Sequence, residues 1–231
     1  MKKKIIVFIA LFVPFALGAV ERAKVEVAAG ADLVSSYVWR GVYQTAFAVQ
    51  PGLSLSCGGV SLGVWGSTDL SSLAKEFDVA LSYEKNGFGV AFTDYWWAGE
   101  GNPYGHYAAS HMFEGSLGYT LSGSLPITFL WNTMIGLDGD KDEEGARQYS
   151  TYVSAGYAFS VNDVALSVTI GVSPWTGIYH RAGTEGFALS TVSLKAAREI
   201  RITDAFTLPI FVETIIAPNQ DNVFLVAGVS F

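Results

Sequence analysis

The chain has 231 residues, half of them hydrophobic and only 15% charged, with a mean hydropathy of +0.33. Soluble domains carry about 25% charged residues, so an ordinary water-soluble globule fits this composition poorly. A formal net charge of −7 argues against nucleic-acid binding, and the lone Cys57 excludes an intramolecular disulfide and argues against a thiolate metal site.

Lys2, Lys3 and Lys4 precede an apolar run over 5–17 that closes on the small residues of Ala16-Leu17-Gly18-Ala19. The run is shorter than the roughly 18 to 20 residues a helix needs to cross a bilayer, and its flanks are those of a secretory leader. The pattern therefore predicts a cleaved signal peptide over 1–19 and one domain over 20–231, with an uncleaved anchor as the alternative. No cysteine lies near the cleavage region, which argues against a lipid-anchored protein. Without the three leader lysines, 11 basic residues face 21 acidic ones, a net charge of −10.

From residue 24 onward the hydrophobic period is two. Val164, Leu166, Val168, Ile170 and Val172 alternate with small or polar residues, as do Phe77, Val79, Leu81 and Tyr83. Side chains two apart on a helix point to opposite sides, so these segments read as strands. About twelve are predicted: 24–40, 45–56, 60–69, 76–84, 88–97, 106–121, 125–136, 147–159, 164–173, 186–198, 205–215 and 222–231. The connections alternate between long (41–46, 70–75, 98–105, 137–146, 174–185, 216–221) and short. The short ones include Asn86-Gly87, a strong signal for a tight hairpin. Long loops on one rim and tight turns on the other, with half the residues apolar, predict an all-β, antiparallel, up-and-down transmembrane barrel in a bacterial outer membrane. Lipid would cover its apolar face.

Aromatics gather near both rims. Tyr37, Trp39, Tyr95, Trp96, Trp97, Tyr104, Tyr107, Trp175 and Tyr179 lie by the long loops; Tyr83, Phe88, Tyr119, Tyr157, Phe159 and Phe206 lie by the tight turns. The arrangement predicts two interfacial girdles, against the alternative of a soluble sandwich core. The chain ends on Phe231 in an alternating apolar strand, resembling the terminal signal by which such proteins engage the barrel insertion machinery. Phe224 and Val226 break that alternation. Pro51 and Pro209 fall inside strands of a sheet with no free edge, so bulges are expected there.

The segment Ala31-Asp32-Leu33-Val34-Ser35-Ser36-Tyr37-Val38-Trp39-Arg40-Gly41, followed by Gln44, Val49-Gln50-Pro51-Gly52 and Val64-Trp65-Gly66-Ser67, resembles the opening of the TorF-type porin family. The resemblance covers about residues 30 to 70. It implies a porin-type barrel and brings no catalytic residues.

If the apolar parity faces lipid, the other parity places Asp32, Arg40, Asp78, Glu114 and Glu213 in the lumen, because ionised groups in hydrocarbon are costly. They read either as a pore lining that screens solutes or as a lattice of ion pairs filling a closed barrel. Lys195 and Arg198 are ambiguous, since the apolar parity switches near Thr191. Asp138, Asp140 and Asp142 are weak candidates for a calcium ion. The segment departs from the EF-hand loop, with Glu143 in the place of its glycine and Tyr149 in that of its last glutamate, and a solvated loop is the competing reading. His106, Ser110 and His111 are the nearest approach to a catalytic grouping, with the two histidines in opposite parity.

No cofactor is expected. The first functional expectation is a small porin-like channel, mildly cation-selective; the second is a non-conducting structural or binding barrel that acts through its loops. An enzyme is a distant third.

Overall fold

The computed structural model describes residues 24–69, 75–98, 103–136, 139–204 and 206–231. The predicted leader over 1–19 and Asp138 lie outside them. The strands are β1 (Glu26–Val34), β2 (Tyr37–Trp39), β3 (Val42–Thr45), β4 (Ala48–Cys57), β5 (Val60–Asp69), β6 (Lys75–Lys85), β7 (Phe88–Ala98), β8 (His111–Thr120), β9 (Ile127–Gly136), β10 (Thr151–Val161), β11 (Val164–Ser173), β12 (Ala188–Arg201), β13 (Thr207–Ala217) and β14 (Asn222–Ser230). β1 and β4 to β14 form a closed antiparallel barrel of twelve strands, each beside its sequence neighbour, while β2 and β3 pair only with each other. The architecture predicted from period and turns is the one observed.

Alternation decides which way each side chain points. Leu55, Leu62, Leu81, Phe92, Leu117, Leu194, Val212 and Leu225 point outward and are exposed, so the outer surface is apolar. Buried polar groups, among them Ser67, Glu76, Asp78, Glu114, Asn132 and Ser154, point inward. Tight hairpins set the register. Cys57 pairs with Val60 and Lys85 with Phe88 across two-residue turns, Gly58-Gly59 and Asn86-Gly87, whose residues all have positive φ. That is the turn whose twist matches two strands of a sheet.

Several expectations need correction. The first strand does not run over 24–40; it stops at Val34, and 37–45 leaves the wall as the β2–β3 hairpin. Residues 107–110 form a short helix, α1 (Tyr107–Ser110), so His106 precedes the strand that begins at His111. No bulge occurs at either proline. The β4–β5 register is the same before and after Pro51. Pro209 pairs with Glu199 of β12, and the β13–β14 ladder begins only at Ile210. A proline lacks one donor, which interrupts a ladder on one side without changing its phase. In the described barrel wall the register shifts lie instead at Phe113/Glu114 between β8 and β9 and at Gly171/Val172 between β11 and β12. The second explains the parity switch near Thr191.

The seam is short. β1 meets β14 through Asp32–Val34 against Gly228–Ser230, with Ala31 and Phe231 exchanging backbone hydrogen bonds of 3.0 and 3.3 Å beyond them. Val34, Ala48, Phe211, Ile215 and Val226 cluster inside the barrel beside this seam, joined by Val38 and Phe224.

Candidate functional site

The site is the lumen where the β2–β3 hairpin enters it. Trp39 pairs with Val42, so the two-residue turn is Arg40-Gly41, and both have positive φ (52° and 86°). Its contacts go all round the ring. Tyr37 packs edge-on against Trp65 of β5 at 5.6 Å, Trp39 against Tyr95 and Trp97 of β7 at 5.5 and 5.7 Å, and Tyr43 stacks on Phe224 of β14 at 6.1 Å. A Cβ added to Gly41 would lie 2.5 Å from the carbonyl oxygen of Ser190 on β12 and 3.3 Å from Cβ of Ala217 on β13. Only a segment inside the barrel can touch β5, β7, β12, β13 and β14 together.

Arg40 is the centre of the arrangement. Its guanidinium makes a two-pronged ion pair with Glu114 of β8, with Nη2 donating to Oε1 at 2.9 Å and Nη1 to Oε2, and Nη1 also donates to the Tyr179 hydroxyl. Aromatic rings surround it, with Trp39 at 4.7 Å, Tyr152 at 5.2 Å and Tyr179 at 5.3 Å. Glu114 also accepts hydrogen bonds from Tyr95 at 3.1 Å and Ser116 at 3.3 Å. A buried ion pair is stable only when further hydrogen bonds support it, and here Tyr179, Tyr95 and Ser116 supply them. Tyr179, from the loop after β11, is fully buried, and burial holds its phenol above the usual range, with Arg40 acting in the opposite direction.

Gly41 makes this packing testable. Gly41→Ala meets both a positive φ and a wall carbonyl, and is expected to cost about 1–3 kcal/mol and to move Trp39 into a wetter environment. Tryptophan emission should shift to the red while the barrel stays folded. Gly105→Ala, where an added Cβ has open space, is the control, and equal behaviour of the two variants would refute the docking.

The predicted lumen residues lie as follows. Asp32, Asp78, Glu114 and Glu213 are on the inward parity of β1, β6, β8 and β13. Arg40 is not on the first strand but at the hairpin tip. Lys195 faces inward, its Nζ 3.8 Å from the centre of the Phe211 ring. Arg198 is on the other parity and pairs with Asp163 of the β10–β11 turn at 2.5 Å. Glu76, which sequence reasoning left out, is inward, two positions from Asp78 on β6. The half of the lumen toward the tight turns is lined by small residues such as Gly63, Ala80, Ala91, Gly118 and Gly156. A cavity of about 260 Å3 opens at the seam, along residues 27–32 of β1 and the chain end at Ser230 and Phe231, and is lined by both parities of β1.

The long-loop aromatics divide. Tyr37, Trp39, Tyr95, Trp97 and Tyr179 turn inward around the hairpin, leaving Trp96 on the outer face with Tyr104 and Tyr107 beside it, and Trp175 against Trp131 of β9. On the tight-turn side Tyr83, Phe88, Tyr119, Tyr157 and Phe159 all point outward.

Asp140 is neither a solvated loop residue nor a free ligand. It is fully buried and accepts hydrogen bonds from the Ser150 hydroxyl and, at 3.2 Å, the Ser150 N–H. Burial raises its pKa. Asp142 accepts from the Ala146 N–H at 2.7 Å, and no group of three metal-ligating side chains occurs among the described residues. Ser110 and His111 are also engaged elsewhere. The serine hydroxyl donates to the carbonyls of Pro103 and His106, and His111 contacts Asp94 and the Tyr104 carbonyl, each at 2.7 Å.

No family model matches the chain, and no curated protein matches it. Among solved structures, an outer membrane channel from Pseudomonas putida F1 is similar with a TM-score of 0.43 at 12% identity, over 92% of this chain and 95% of that one. OmpF of Salmonella typhi, solved in complex with daunomycin, gives 0.39 at 8% identity, over 91% and 98%.

Proposed function

We propose that the chain is a channel of the bacterial outer membrane, passing ions or small polar solutes passively and with a mild preference for cations. One observation carries the reading: a closed barrel with an exposed apolar exterior and an interior that holds the charge. An apolar belt all round a closed barrel has no partner in water, whereas a bilayer solvates it, and closure satisfies the backbone inside hydrocarbon. Strands of nine to fourteen residues are long enough to span the bilayer core when tilted. On this reading the tight turns face the periplasm, the outward aromatics near them sit at the inner interface, and Phe231 engages the insertion machinery during assembly.

Twelve strands enclose more than the eight that side chains alone can fill and less than the sixteen of an open porin. The hairpin narrows that intermediate lumen from within. A non-conducting barrel is the second reading, favoured by the ring of contacts around Arg40. Planar-bilayer conductance separates the two: discrete steps support the channel, and their absence from correctly folded protein supports the plugged barrel.

Selectivity follows from the inward charges. Asp32, Glu76, Asp78, Glu114 and Glu213 outnumber Arg40 and Lys195, and an acidic lining raises the local cation concentration. Reversal potentials under a salt gradient should favour cations. Arg40→Ala should strengthen the preference by releasing Glu114, and Glu213→Gln should weaken it. Both effects should fade near 1 M salt, where the Debye length is about 3 Å. An anion-preferring wild type would overturn the assignment.

A further inference from the structure

Arg40 and Lys195 are committed, the first to Glu114 and the second to the Phe211 face on the opposite wall. Although the Tyr37 hydroxyl and the Trp97 indole N–H approach the Glu76 carboxyl as donors, Glu76 and Asp78 are left without a cation. They stand two residues apart on the inward face of β6, 6% and 9% exposed, and Oε1 of Glu76 and Oδ1 of Asp78 are buried without a hydrogen-bond partner. A buried carboxylate oxygen with nothing to accept is costly, and a native protein that keeps two side by side has a use for them.

Their neighbours say what kind of use. Across the ladders Asp78 lies between Trp65 of β5 and Tyr95 of β7, and Glu76 between Ser67 and Trp97. Tyr95 and Trp97 stack at 5.3 Å, and Tyr37 covers the group from the hairpin side, packed on Trp65. Two carboxylates walled by aromatic faces suit a cation that is itself partly organic: the carboxylates take the charge and N–H donors, and the π-faces take the flanking methylenes or methyls. A calcium ion instead needs six or more oxygens, which two carboxylates do not supply.

We propose that Glu76 and Asp78, with Trp65, Tyr95 and Trp97, form a binding station in the lumen for an alkylammonium solute. The station lies beside the constriction, where a solute coming through the wider, small-residue half of the barrel would pause. The route, though not the binding, rests on the channel reading above.

The test uses the full barrel in detergent and in bilayers, with 1,4-diaminobutane as probe and 1,4-butanediol as its uncharged counterpart. The diamine should quench or shift tryptophan emission saturably and block the conductance, while the diol does neither. Glu76→Gln and Asp78→Asn keep shape and remove charge, and each should weaken binding about tenfold or more. Asp163→Asn, in the exposed β10–β11 turn outside the lumen, should leave it unchanged. The slower gel mobility of each variant after boiling shows that it has folded. Saturable diamine binding to a barrel that does not conduct would retain the station and remove the channel. Conductance with no diamine binding, binding equal in Glu76→Gln and wild type, or equally strong binding of calcium would overturn the station and leave the channel standing.

Discussion

Replacing residues 37–45 by a short glycine-serine turn is expected to raise single-channel conductance several-fold with the barrel intact. Val34 of β1 and Ala48 of β4 are already Cα partners, so the wall closes across the gap without strain. What leaves the lumen is Tyr37, Trp39, Arg40 and Tyr43, four of the largest side chains inside it. Glu114 loses its only guanidinium, so the larger pore should also be more cation-selective. Far-ultraviolet dichroism and the heat-dependent gel shift would establish that the ring has survived. Conductance equal to the wild type would mean that the hairpin is not the constriction.

The second large effect concerns the outer face. Leu81 points outward from the middle of β6 and is 54% exposed, whereas Ala80 beside it points inward between Gly63 and Thr93. If the exterior meets lipid, Leu81→Arg places a cation near the bilayer midplane and is expected to destabilise by about 2–4 kcal/mol. Ala80→Arg puts the same charge into a wet, acidic lumen and should cost far less. Denaturant unfolding from lipid vesicles measures both. Similar values for the two would remove the distinction between a lipid face and a lumen face on which the functional reading depends.

The barrel was legible in the sequence because its signals are local. Alternation over ten residues, Asn86-Gly87 and Gly58-Gly59 each specify a hairpin without reference to the rest of the chain. The hairpin in the lumen was not legible, because the apolar parity of Val25, Val27, Ala29, Ala31 and Leu33 resumes at Tyr37 and Trp39, and no proline or glycine marks the point of departure. Its footprint was nevertheless present. Phe224 and Val226, which break the alternation of the last strand, are inward residues: the first stacks on Tyr43, and the second belongs to the cluster that Val38 packs against. The run Tyr95-Trp96-Trp97 hid the same fact, since three consecutive aromatics carry no parity. Of the site, the inward carboxylates Asp32, Asp78, Glu114 and Glu213 followed from strand parity alone. Arg40 was correctly sent inward but for the wrong reason, and its pairing with Glu114 depends on a fold-back that spacing cannot reveal. Asp140 failed for a related cause: a dense acidic stretch reads as solvated until a distant N–H, here that of Ser150, is brought to it.

The tie from Arg40 to Glu114 also acts as a gauge of the ring. The hairpin springs from between β1 and β4, and its tip must reach β8 while Gly41 rests against β12 and β13. That span is fixed by the number of strands, because circumference sets diameter. Barrels can enlarge by duplicating a hairpin of the wall, yet here two added strands would draw β8 and β12 away from the tip and strand Glu114 without its cation. Growth of the wall therefore has to be matched by lengthening of β2 and β3. The caliber of this barrel and the reach of its internal hairpin can change only together.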